Sequence, residues 1–134
     1  MPIPRSTILL AEDEAVIRRA VHAALLEAGF TVQLAEDGDQ GRALIDEMKN
    51  ECPQLLITDV DMPGCGGEEL AHHARQYCAR IKLLFTSGMP QPALLKAIRA
   101  DPQALFLEKP FSPSDLLAAI QQLGVTPELS QPDR

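Results

Sequence analysis

Short apolar runs alternate with stretches in which apolar residues return every third or fourth position, and the chain does this five times. Thr7–Ala11 (TILLA) is an apolar run; Val16, Ile17, Val21, Ala24 and Leu25 then recur at helical spacing until Gly29. A short apolar run fits a buried strand, the wider spacing fits an amphipathic helix, and glycine ends a helix because it tolerates a left-handed backbone. Thr31–Ala35 alternates as a strand does, and Leu44, Ile45 and Met48 mark a second helix. Pro53 precedes a third strand, Leu55–Thr58, and Leu70, Ala71, Ala74, Tyr77 and Cys78 mark a third helix. Lys82–Thr86 is the fourth strand, Leu94, Leu95 and Ile98 the fourth helix, and Ala104–Leu107 the fifth strand. Ser112-Pro113-Ser114-Asp115 predicts a helix start: an N-cap serine, proline at the first helical position and an acid two positions on. That last helix carries Leu116, Leu117, Ile120 and Leu123 and stops at Gly124.

Strand and helix in strict alternation predict right-handed crossovers, hence an α/β domain with a parallel sheet and helices on both faces. We expect one domain over residues 1–124, followed by a polar tail at 125–134 that holds two prolines and is expected to fray. No internal repeat or low-complexity stretch interrupts this order.

At 134 residues the chain can bury a core without metal or disulfide staples. The formal net charge of −7, with no local Lys/Arg cluster against it, argues against direct DNA or RNA binding. No apolar run is long enough for a membrane span, and the Met1-Pro2-Ile3-Pro4-Arg5 start does not resemble a signal peptide. Cys52, Cys65 and Cys78 are odd in number and fit no zinc or redox spacing, so they are expected to be reduced thiols in a cytoplasmic protein. Cys65, His72, His73 and Cys78 likewise lack metal-ligand spacing and are expected to be incidental.

Candidate chemistry centres on Asp59, which ends an apolar strand and opens a Met-Pro-Gly turn. A charge so placed is costly unless compensated. In a parallel sheet all strand C-termini emerge at one rim, and residues just beyond them converge. Those residues are Glu12 and Asp13 after the first strand, Asp59 after the third, Ser87 after the fourth and Lys109 after the fifth. Each alone is an ordinary loop residue. Together they form a carboxylate cluster that invites a hard divalent cation, beside a hydroxyl and an ammonium suited to phosphoryl oxygens. Asp59 would be the nucleophile.

The motifs ILLAEDE, DVDMPGCGG, FTSG and FLEKPF together resemble the signatures of response-regulator receiver domains of two-component signalling, over about Thr7 to Leu123. The resemblance implies a flavodoxin-like (βα)5 fold with strand order 2-1-3-4-5. It implies Asp59 as the phosphoacceptor, with magnesium (or manganese) held by the side chains of Asp13 and Asp59, by Glu12 mainly through water, and by the backbone carbonyl of Asp61. Lys109 would contact the phosphoryl group, and its bond to Pro110 would be cis. Ser87 and Phe106 would form the switch, Ser87 moving toward the phosphate and Phe106 rotating behind it. Of the adjacent pair, Ser87 is expected to face the site and Thr86 the other way, since successive strand residues point oppositely. The donor would be a histidine kinase or histidine phosphotransfer protein. The output would be contact with a downstream protein effector through the fourth helix, fifth strand and fifth helix, where Lys96, Arg99 and Gln122 lie.

Glu12 stands where aspartate is commoner, and Asp61 and Met89 flank the site, where they are expected to tune the lifetime of the acyl phosphate. The domain would be regulatory rather than an enzyme acting on outside substrates, while catalysing its own phosphorylation and dephosphorylation. Two alternatives compete. A haloacid-dehalogenase-like phosphatase also uses a D-x-D nucleophile, which Asp59-Val60-Asp61 imitates, but its motif usually opens the domain. A degenerate receiver working as a phosphorylation-independent binding module would usually have lost the acids or the lysine, all present here. Without an output domain the expected role is a phosphorelay shuttle, a regulator acting by contact, or a receiver from a hybrid kinase.

Overall fold

The computed structural model describes residues 7–48 and 50–127. Five strands and five helices alternate: β1 (Thr7–Ala11), α1 (Ala15–Glu27), β2 (Thr31–Ala35), α2 (Gly38–Met48), β3 (Leu55–Asp59), α3 (Gly67–Tyr77), β4 (Lys82–Ser87), α4 (Pro92–Arg99), β5 (Ala104–Glu108) and α5 (Pro113–Gln122). All neighbours pair in parallel in the order β2-β1-β3-β4-β5, the expected flavodoxin-like sheet.

Alternation along the strands divides the core in two. Ile8, Leu10, Leu55, Ile57 and Leu84 pack with Val21 and Leu25 of α1 and Leu116 and Ile120 of α5. Leu9, Ala11, Leu56, Leu83 and Phe85 pack with Ile45 of α2, Leu70 of α3 and Leu94 and Ile98 of α4. β1 and β3 are buried along their whole length, which is why they read as continuous apolar runs. The edge strand β2 is mostly exposed, so its pattern alternates. At α5 both halves of the expected capping box form: Asp115 N–H donates to Ser112 Oγ at 3.0 Å, and Ser112 N–H to Asp115 Oδ2 at 3.2 Å.

β3 and β4 each run one residue past their expected ends. Asp59 pairs with Thr86, and Ser87 with Glu108. Both chemistry-bearing residues are thus strand members, held by ladders rather than by loops.

Two expectations change. Cys52 and Cys78 are joined in a disulfide, with Cα atoms 5.7 Å apart, and Cys65 alone is a free, buried thiol. Their separation in sequence hides the pairing. Cys52 lies just before β3 and Cys78 caps α3, and a strand followed by a helix returning antiparallel to it brings these two ends together. Val125 is buried and its N–H donates to Ile120 O, so the tail begins with a core residue. Residues 128–134 lie outside the described residues.

Candidate phosphoacceptor site

The site lies at the C-terminal rim of β1, β3, β4 and β5. Asp59 is buried, and so are Glu12 and Ser87. Lys109 Nζ stands among three carboxylates: 3.0 Å from Glu12 Oε1, 3.3 Å from Asp59 Oδ2 and 3.4 Å from Glu14 Oε1. The Lys109 backbone N–H donates to Ser87 O at 2.9 Å, extending the β4–β5 ladder by one bond and fixing where the lysine stem departs. The Lys109–Pro110 bond is cis, as the resemblance implied.

The two buried carboxylates each have a second tie. Glu12 Oε2 accepts from Glu14 N–H at 3.1 Å, and Asp59 Oδ1 from Asp61 N–H at 3.3 Å. Burial pushes the Asp59 carboxyl above its ordinary range; Lys109 pulls it down, and Asp13 adds to the rise. Burial likewise lifts Glu12, against the pull of Lys109. Burial draws the Lys109 ammonium downward, but Glu12 and Asp59 outweigh it and leave the lysine above its usual value. One ammonium therefore serves two buried carboxylates and a third at the surface, with negative charge in excess.

Glu14 was not foreseen. The chain is extended at Glu14, ahead of α1, and alternation in extended backbone points Glu12 and Glu14 the same way. The i, i+2 acids of the AEDE segment carried that signal. Glu12, Glu14 and Asp59 each offer an oxygen, all within 4.8 Å of one another. Asp13 is not in that triplet, yet its Oδ1 is buried without a hydrogen-bond partner. An orphaned buried acceptor is costly, and a cation is one partner that relieves it. This donor set of hard oxygens fits magnesium.

Ser87 Oγ accepts from Met89 N–H at 3.0 Å. Alternation from Phe85, which belongs to the α2–α3–α4 side, puts Ser87 on that side and Thr86 on the other. Phe106 is half-buried against the same core, paired across the ladder with Phe85. Asp61 and Met89 are exposed at the rim. Close backbone approach shapes the turn after β3: a Cβ on Gly67 would stand 2.2 Å from Asp59 O.

Among the described residues Cys65, His72, His73 and Cys78 form no metal-ligand cluster. His73 Nε2 pairs with Asp46 at 2.8 Å, Cys78 is in the disulfide, and His72 lies beside Gln76.

This five-stranded order and rim of acids and lysine define a CheY-like receiver architecture. Residues 8–121 match the family of the response regulator receiver domain, and the chain belongs to that family. It is 35% identical over 116 residues to the response regulator receiver protein CpdR of Brucella abortus, covering 87% of this chain and 94% of that one. It is 32% identical over 118 residues to the sensor kinase CckA of the same organism, covering 88% of this chain but 12% of the kinase. Among solved structures, Vibrio cholerae chemotaxis protein CheY4 superposes with a TM-score of 0.77 at 26% identity, covering 88% of this chain and 98% of that one. The chain is thus a receiver domain of two-component signalling, with a regulatory role, and the phosphatase alternative falls away. Among the described residues no helix is long and apolar enough to cross a membrane.

Proposed function

We propose that Asp59 accepts a phosphoryl group from the phosphohistidine of a histidine kinase or histidine phosphotransfer protein. The observation that carries this reading is the Lys109 ammonium held between the buried carboxylates of Glu12 and Asp59 at the sheet's C-terminal rim. An Asp59 carboxylate oxygen attacks phosphorus, the P–N bond breaks, and its electron pair leaves with the imidazole. Lys109 meets the charge on the transferred oxygens, and the Ser87 hydroxyl donates to one of them. Asp13 and Asp59 would hold magnesium (or manganese) through side chains, Glu12 mainly through water, and Asp61 through its backbone carbonyl. That ion supplies the positive charge the excess of carboxylates calls for.

Once Asp59 is phosphorylated, Ser87 shifts from Met89 N–H toward the phosphoryl group, and Phe106 turns into the space behind it. Phe106 lines an open groove of about 500 Å³ with Leu95, Ile98 and Arg99, which leaves its ring room on the α4–β5 face. The altered face of α4, β5 and α5, where Lys96, Arg99 and Gln122 are exposed, then meets a protein effector. The balance of the two states moves only by the phosphate's differential contacts with them. The chain catalyses both its own phosphorylation from small phosphodonors and its dephosphorylation, and works in the cytoplasm. Membership of the receiver family supports that location.

Acetyl phosphate with magnesium should add one phosphoryl group, read by intact mass; chelation or Asp59→Asn should abolish it. Wild type that takes no label under these conditions would overturn the reading in favour of a phosphorylation-independent module.

A further inference from the structure

At the opposite edge of the sheet from Asp59 lies a basin of about 470 Å³, lined by Cys52, Cys78, Tyr77, Arg80, Lys82 and Val125 among others. The Cys52–Cys78 bond lies in its wall, with Cys52 half-buried and Cys78 buried. We propose that this bond is a reversible thiol–disulfide site, opened by a small anionic thiol of the glutathione class that enters the basin.

Three observations converge. The basin that exposes the disulfide is also lined by two cationic residues, Arg80 and Lys82, which suits entry of a carboxylate-bearing thiol. Cys52, the less buried residue of the pair, is the one open to attack. Its Sγ also lies 3.6 Å from Tyr77 O, an acceptor to which a released Cys52 thiol can donate, so the reduced form has a partner in place. In a reducing compartment a disulfide of this kind is transient and redox-sensing rather than structural.

The incoming thiolate attacks Cys52 Sγ, the protein S–S bond breaks, and Cys78 leaves as a thiolate that takes a proton. A second small thiolate attacks the small-molecule sulfur of the mixed disulfide, and Cys52 leaves as a thiolate and is protonated. The protein gains two electrons and two protons, and two small thiols become their disulfide. What changes is the tie between the start of β3 and the end of α3, a unit that contains Asp59 and the turn after it. Opening it frees the last turn of α3 and leaves the β1 ladder as it was.

The test uses the purified chain in glutathione buffers stepped from oxidised to reduced, with alkylation and peptide mass as the readout. With alkylation under a denaturing quench, Cys52 and Cys78 should become labelled together and close again on reoxidation, while the free thiol Cys65 is labelled in both forms. Reduction should lower the melting midpoint by roughly 10 °C and speed amide exchange in the C-terminal half of α3 but not in β1. Cys52→Ser should melt like the reduced wild type under both conditions. A bond that stays closed in millimolar reduced glutathione, or thiols that stay open in oxidised glutathione, would overturn the proposal. None of these readouts depends on phosphorylation, so this idea and the phosphoacceptor reading fail independently.

Discussion

Lys109, just beyond β5, holds its ammonium 3.3 Å from the carboxylate of Asp59 at the end of β3, across the whole width of β4. Parallel pairing in register makes this possible, because Asp59 meets Thr86 and Thr86 meets Leu107 along one line through the sheet. The lysine is the standing counter-ion of the site, and its neighbours decide how much it contributes.

Removing that counter-ion should strand Glu12 and Asp59 as buried charges. Lys109→Met should cost about 3 kcal/mol at neutral pH by chemical denaturation. Lys109 is raised above 10.5, so the stability it contributes is present below that value and is lost as pH rises through its folded value. Glu12 and Asp59 are raised above 4.5 and 3.8, so they take up protons early on acidification, and the penalty of Lys109→Met should shrink there. A penalty that is flat with pH would contradict the arrangement.

Asp59 itself is expected to be destabilising without a metal. Burial raises its pKa, so the folded protein disfavours the ionised form and Asp59→Asn should be more stable than wild type in metal-free buffer at neutral pH. The gain is full above the folded pKa, fades as pH falls through it, and is gone below 3.8, where wild type is protonated in both states. Melting curves of the two proteins across that range check it.

Gly67 is set by geometry. A Cβ there would lie 2.2 Å from Asp59 O and 2.9 Å from Val60 Cα, both backbone atoms that cannot swing aside. Gly67→Ala should cost about 2 kcal/mol or more and slow acetyl phosphate labelling as the strand end shifts. Wild-type stability in this variant would mean the turn relaxes freely.

Asp61 and Met89 border the site without entering the Lys109 cluster. Asp61→Asn and Met89→Ala should change the rate of dephosphorylation several-fold while leaving the extent of labelling intact. Stability should move by less than about 0.5 kcal/mol, because both side chains are exposed. Phosphoprotein decay followed by mass separates these effects.

Much of the architecture was legible because each strand and helix carries its own period. β1 and β3 are buried on both faces and show as unbroken apolar runs, while α5 announces its start through Ser112 and Asp115. The strand ends were less legible. Asp59 and Ser87 are polar, so hydrophobic pattern stopped one residue short of each, whereas the ladder continues through both. Alternation showed that only one of Thr86 and Ser87 can face the rim; the resemblance, through the spacing from Ser87 to Lys109 and the small Gly88 that follows, picked Ser87.

The amino-acid sequence by itself determined the order of elements, and with it the convergence of Glu12, Asp13, Asp59, Ser87 and Lys109 at one rim, because parallel strands must end together. Only the tertiary structure decided which acid stands where. Extended backbone before α1 turns Glu14 toward Lys109 and leaves Asp13 Oδ1 buried and unpaired, a matter of side-chain direction that spacing does not reveal. The Cys52–Cys78 bond was decided there too: bonding needs proximity in space, and only the return of α3 along β3 supplies it.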